Sequence, residues 1–120
     1  SSDIRDLLQV EDSNCDARLA VDLYVYRAKQ YIGAYAATMN GLDVLVFTDD
    51  VGLRVPEIRA RVCGDMEFLG VVIDDKRNQA AEPHRIEALD SQDSRVRILS
   101  VPNDEERAIY AEGLELLAKD

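Results

Sequence analysis

From Asp16 to about Asn40, apolar side chains return every three or four positions: Val21, Tyr24, Val25, Ala28, Tyr31, Ile32, Tyr35 and Met39. That spacing predicts one long helix with a wide apolar stripe, which Ala34, Ala36 and Ala37 widen further, so it reads as buried on more than one side. Gly41 stands just past its end, where a left-handed C′ residue stops a helix. Ahead of it, Ser1 to Leu8 reads as a cap and a helical turn, with Ser2 or Asp3 as N-cap. Val44-Leu45-Val46-Phe47 is a short continuous apolar run, the pattern of a strand covered on both faces. Pro56 suits the first position of a second helix, continued by Ile58, Val62 and Met66. Phe68 to Ile73 reads as a strand, Asp74 to Asn78 as a polar turn, Ile86 to Leu89 as a short strand and Val96 to Val101 as a clearer one. A last helix opens at Asn103, with Glu106 three residues on in the manner of a capping box, and Ile109, Tyr110, Leu114 and Leu117 as its stripe. Helices alternating with strands predict an α/β layered domain, with right-handed crossovers wherever strands run parallel.

Composition narrows the classes of function. The 120 residues are 47% hydrophobic and 32% charged, enough to bury one core and too apolar for a disordered tail, so residues 1–120 read as a single α/β domain. The net charge of −10, from 24 acids against 14 bases, argues against nucleic acid or an anionic membrane as partner, since phosphates require clustered Lys and Arg. No apolar run nears the roughly 20 residues of a membrane helix, and no signal peptide opens the chain. Cys15 and Cys63 are too few for a disulfide scaffold, and a reducing, cytoplasmic setting is expected. A chain opening on a helix cap without Met reads as a piece of a longer protein or a trimmed one.

The residues that carry chemistry each admit a plain reading. Glu105 and Glu106 stand in the first turn of a helix, where acids complement the macrodipole without any metal. Asp49-Asp50 after a strand suits a solvated turn or, with partners that the sequence does not place, a metal or phospho-acceptor site. Arg5 with Asp3 and Asp6 makes a surface cap and ion pair. Tyr24, Tyr26, Tyr31 and Tyr35 at helical spacing are core or interface residues. His84 sits in a polar loop with no further metal ligand near it in sequence.

Five segments, read in order, resemble the C-terminal part of the acetate kinase family. They are Ser1 to Leu8, Tyr26 to Ala37 (with Lys29-Gln30-Tyr31-Ile32-Gly33-Ala34-Tyr35 beside the family's Lys-Tyr-Ile-Gly-Ala-Tyr), Leu42 to Thr48, Phe68-Leu69-Gly70, and Val101 to Glu106. The resemblance implies a three-layer α/β fold, a partial ribonuclease H-like or actin-like ATPase lobe with a long buried central helix. It implies that Asp3 and Arg5 face the adenosine end of ATP, that Asp50, Val51 and Arg54 lie on the adenine-pocket loop, and that Glu105 is the acid near magnesium. No catalytic residue falls in the chain on this reading. ATP and Mg2+ serve the parent enzyme, with acetate (or propionate or butyrate) as acceptor, and the long helix and lobe surface imply a homodimer.

Two departures from the family pattern bear on activity. The family's Phe-Thr-Gly/Ala-Gly-Ile-Gly-Glu-Asn loop is here Phe47-Thr48-Asp49-Asp50-Val51-Gly52-Leu53-Arg54. Glycines there let backbone amides approach a nucleotide, whereas two aspartates add bulk and negative charge. At ~4 Å a like charge costs about 1 kcal/mol in water and about 4 at an effective dielectric of 20. The changed loop therefore counts against nucleotide binding and leaves open that this chain binds neither ATP nor Mg2+. The arginines and histidines that the family brings to the moving phosphoryl group come from its other lobe, so the isolated chain is expected to be inactive. The rival expectation is a non-catalytic α/β dimerisation or interaction module derived from the same lobe.

Overall fold

A computed structural model of the chain describes residues 3–103. The chain divides between Asn40 and Gly41 into two compact units. In the first, α1 (Ile4–Val10) packs on α2 (Cys15–Thr38). Asn14 caps α2 through its side-chain oxygen, which accepts from the amides of Asp16 at 3.0 Å and Ala17 at 3.1 Å. At the far end Asn40, not Gly41, is the first residue to take the left-handed conformation (φ 60°), which Asn tolerates better than most side chains.

The long helix is where its periodicity puts it, but it is not the buried rod expected. Ala17, Val21 and Ala36 are buried, while Tyr31 is 65% exposed and Tyr26, Tyr35 and Met39 are similarly open. Periodicity reports which side chains share a face, not whether the chain supplies something to cover it. Within this unit α1, about 10 Å long, cannot cover a helix of about 36 Å. Tyr31 and Tyr35, one turn apart, stack on each other instead, with ring centroids 6.5 Å apart.

In the second unit, β1 (Val44–Phe47) and β3 (Arg97–Ser100) run parallel, Val44 opposite Arg97 and Phe47 opposite Ser100. The two-residue β2 (Glu87–Ala88) joins the other side of β3 antiparallel. Among the described residues the order is β1-β3-β2. Central β3 buries Ile98, Leu99 and Ser100, and Leu89, Val96, Val71, Ile58, Val62 and Met66 complete the core. As an edge strand, β1 is only half-buried and leaves Val46 46% exposed, so its apolar run is not covered on both faces as expected.

The helix expected at Pro56 divides its work. Short α3 (Asp50–Arg54) precedes α4 (Pro56–Cys63), and Pro56 opens α4 at its first turn. Two further expectations are corrected. Phe68 to Ile73 is not a strand but a 3-10 turn (Glu67–Leu69), a left-handed Gly70 (φ 86°) and one isolated bridge from Ile73 to Asp90. Gly70 breaks the extended backbone, so Val71 goes inward while Phe68 stands 81% exposed. Asp74 to Asn78 is not a turn but the start of α5 (Asp75–Ala80), because the Asp74 carboxylate accepts from the Arg77 amide at 3.0 Å as an N-cap. The helix expected from Asn103 onward lies outside the described residues.

Candidate functional site

Open α/β sheets bind ligands off the carboxyl ends of their strands. Here that edge is built from β1 and β3. The ladder continues past the strands through the Val101 amide, which donates to the Phe47 carbonyl at 2.8 Å. The Thr48 hydroxyl donates to the Val101 carbonyl at 2.7 Å and lies against the Asn103 amide oxygen. Two segments more than fifty residues apart are thereby locked side by side, 48–54 after β1 and 101–103 after β3.

Loop 48–54 is shaped by Asp49. Its carboxylate caps α3 by accepting from the Gly52 amide at 2.6 Å, and its carbonyl accepts from the Leu53 amide at 2.8 Å. Asp50 pairs with Arg54 one turn on at 3.0 Å, both exposed. Val51 is half-buried, and its carbonyl accepts from the Val55 amide. Gly52 is required by the packing: a Cβ there would stand 2.6 Å from the Asp49 Oδ1 and 3.2 Å from the Phe47 Cβ.

Beneath the loop lies a further residue, outside the set expected from the sequence. Arg59 of α4 is 1% exposed. Its Nη1 donates to the carbonyls of Gly52 at 2.8 Å and Leu53 at 3.0 Å. Its Nε and Nη2 donate to the Asn78 side-chain oxygen at 2.6 Å and the Asn78 carbonyl at 2.7 Å. Asn78 in turn donates to the Pro56 carbonyl at 2.8 Å. One buried guanidinium thus fastens α3, α4 and α5 together, and burial pulls its pKa down. A signal for it exists in the spacing: Val55, Ile58, Arg59, Val62 and Met66 follow one helical stripe, with an arginine at a core position.

Asp3 and Arg5 lie in the first unit, apart in the chain's organisation from Asp50, Val51 and Arg54. Asp3 and Arg5 pair with each other. The Asp3 carboxylate caps α1, accepting from the Arg5 amide at 2.9 Å and from its guanidinium at 3.1 and 2.7 Å. Those hydrogen bonds hold the Asp3 pKa down from 3.8 to about 2. A depressed carboxylate stabilises the fold above its unfolded pKa and loses that contribution as pH falls toward the folded value. Acidification from pH 4 to pH 2 is therefore expected to loosen α1, and Asp3→Asn to flatten that part of the profile. NMR titration of the α1 amides measures both, and an Asp3 carboxyl titrating near 3.8 would contradict it.

Glu105 lies outside the described residues. Among the described residues no three His, Cys, Asp or Glu side chains converge to hold a metal. His84 is exposed in a turn, Cys15 is an exposed free thiol and Cys63 a buried one. No helix among the described residues is long and apolar enough to cross a membrane.

What the carboxyl edge can hold follows from these contacts. Thr48 and Asn103 offer neutral hydrogen-bonding groups suited to a sugar or base. The amide of Gly52 is already taken by a carboxylate, so the loop does not fit a phosphate there.

Comparison with known proteins bears on the same residues. The sequence profile of the acetokinase family matches residues 1–111. The acetate kinase of Caldicellulosiruptor saccharolyticus is 39% identical over 120 residues, covering 99% of this chain and 30% of that protein. Among solved structures, the acetate kinase of Porphyromonas gingivalis superposes with a TM-score of 0.79 at 42% identity, over 98% of this chain and 29% of that one. A propionate kinase from Francisella tularensis gives 0.73 at 27% identity, over 89% of this chain and 27% of that one. The chain spans about 30% of the length of the relatives it matches.

Proposed function

This chain belongs to the acetokinase family, and from that premise we propose that it forms the nucleotide-facing part of an acetate-kinase-type phosphotransferase. In the whole enzyme, a carboxylate oxygen of acetate attacks the γ-phosphorus of ATP while the bond to the bridging oxygen breaks, giving acetyl phosphate and ADP. The contribution assigned to these residues is binding, not bond-making. Loop 48–54 with Asp50, Val51 and Arg54 flanks the adenine, and Thr48 and Asn103 shape the sheet edge beneath it. Mg2+ would supply charge neutralisation on the phosphates, with Glu105 as the acid on its side. The observation that carries this reading is the locking of segments 48–54 and 101–103 at one carboxyl edge by Thr48.

Asp49 decides how strongly the edge can act. Its carboxylate holds the Gly52 amide, and its negative charge opposes a phosphate binding there. Weak, millimolar binding of Mg-ATP and no acetyl phosphate formation by the chain alone are the expected results, the first by calorimetry and the second by hydroxamate assay. Absence of any saturable Mg-ATP signal would overturn the nucleotide reading. It would favour a second one, a non-catalytic module of the same lobe, for which the self-capped loop is the specific support. Either role suits a reducing, cytoplasmic setting, in keeping with two free thiols.

A further inference from the structure

At the opposite, amino end of the parallel pair lies a cleft of about 580 Å³, lined by Arg77 of α5 and by Asp90, Ser91, Ser94, Arg95 and Arg97 of the segment from β2 into β3. Four strand residues, about 10 Å of chain, separate it from the loop described above. In a chain of net charge −10 it gathers three arginines against one aspartate.

Each cation is held in place by the fold. The Arg77 Nη1 donates to the Asp90 carbonyl at 3.1 Å. The Arg95 Nη2 donates to the Leu69 carbonyl at 2.5 Å and its Nη1 to the Leu42 carbonyl at 3.4 Å. Arg95 can lie there because residue 70 is glycine: a Cβ at Gly70 would stand 2.8 Å from its guanidinium nitrogens. Arg97 is neutralised by the buried Asp90 carboxylate at 3.1 Å, which also accepts from the Ile98 amide at 3.0 Å. Two guanidiniums, Arg77 and Arg95, are then left without a carboxylate in the cleft. Each has five N–H donors, of which the bonds above use one and two. Their carbonyl tethers limit the rotamer freedom that binding would otherwise cost.

We propose that this cleft is a second ligand site, for a dianionic phosphate group carried on a small organic molecule. A phosphate dianion matches the charge of two guanidiniums and takes their N–H pairs bidentately. The cleft is larger than one phosphate fills, and the Ser91 hydroxyl at its wall offers a further donor. The site stands on the opposite sheet edge from the nucleotide reading and does not depend on it.

The test is NMR titration of the purified chain with inorganic phosphate and, separately, glycerol 3-phosphate. Saturable shifts of the 90–97 amides and the Arg77 amide are expected from both, tighter for glycerol 3-phosphate. Arg77→Gln should weaken binding about ten-fold, as befits loss of a charge-assisted hydrogen bond, and Arg77→Lys should weaken it less. Both act on an exposed side chain, and unchanged amide positions elsewhere report an intact fold. Arg61→Gln removes the same charge from α4 and should leave the affinity as it was. The proposal fails if neither compound gives saturable shifts, if the shifts gather on loop 48–54, or if Arg61→Gln weakens binding as much as Arg77→Gln.

Discussion

Alanine in place of Arg59 is expected to lower the unfolding free energy by about 3 kcal/mol, more than any single surface change in this chain. The guanidinium is buried and makes four hydrogen bonds, to the Asn78 side chain and to the carbonyls of Gly52, Leu53 and Asn78. Two of these carbonyls belong to the last turn of α3, where a helix has no partners of its own and where a cation is favoured by the macrodipole. Removing the side chain strands several buried acceptors at once, at about 1–3 kcal/mol each, partly offset because the cation no longer has to be desolvated and water can enter. Lysine should rescue little, since a single ammonium cannot span Asn78 and two carbonyls on the far side. Urea denaturation reads the effect as a fall in midpoint at unchanged slope. A loss under about 1 kcal/mol would mean that the cluster is as stable without its cation, as some buried ion networks are. A conservative methionine variant separates packing from hydrogen bonding: if it behaves like alanine, the hydrogen bonds carry the cost.

Arg59 marks the limit of what a sequence makes legible. Period and punctuation worked where they act locally. The α2 stripe, the Pro56 helix start, the short strand at 87–88 and the β3 run are patterns that a few neighbouring residues decide. The strand expected at 68–73 does not form, although its apolar residues make a run in the sequence. Gly70, needed at positive φ and lying under the Arg95 guanidinium, breaks that run for a reason supplied by a residue twenty-five positions away. The 74–78 turn failed for the opposite reason. A polar residue such as Asp74 suits a turn, but here its carboxylate is the N-cap of a helix. Burial was the least legible quantity. The α2 tyrosines look like core by spacing, and their exposure depends on what packs against them, which no local pattern contains.

The site divides along the same line. Asp3 as a cap and Asp50 paired with Arg54 are contacts within two to four residues, readable from spacing. The meeting of Thr48 with Val101 and Asn103 is not, because it exists only once β1 and β3 are paired in register. The resemblance to a family supplied an expectation that spacing could not, that the segments after these two strands serve one nucleotide. It did not supply the 77–97 cleft, whose arginines come from two separate segments of chain and share no motif.

Replacing Asp49 and Asp50 together by glycine is expected to tighten Mg-ATP binding about thirty-fold while making the chain less stable. The two effects have separate causes. A carboxylate near a phosphate costs about 1 kcal/mol per pair at ~4 Å in water and more where the dielectric is lower. Both side chains are exposed, so the low end applies, and two such repulsions, about 2 kcal/mol together, amount to about thirty-fold in affinity. Loss of Asp49 also returns the Gly52 amide, now held at 2.6 Å, to a ligand, and loss of Asp50 releases Arg54 from its 3.0 Å pair. Against this, the α3 cap is gone and two residues gain backbone freedom, for about 2 kcal/mol of lost stability. Asp49→Asn distinguishes charge from capping, because the amide oxygen can still accept from Gly52 while the negative charge is removed. If charge sets the affinity, Asn at 49 recovers part of the gain without the stability loss. If the occupied amide sets it, only the glycine variant improves. Calorimetric titration of the folded variants with Mg-ATP reads both, and an affinity unchanged in all of them would show that loop 48–54 does not face the nucleotide.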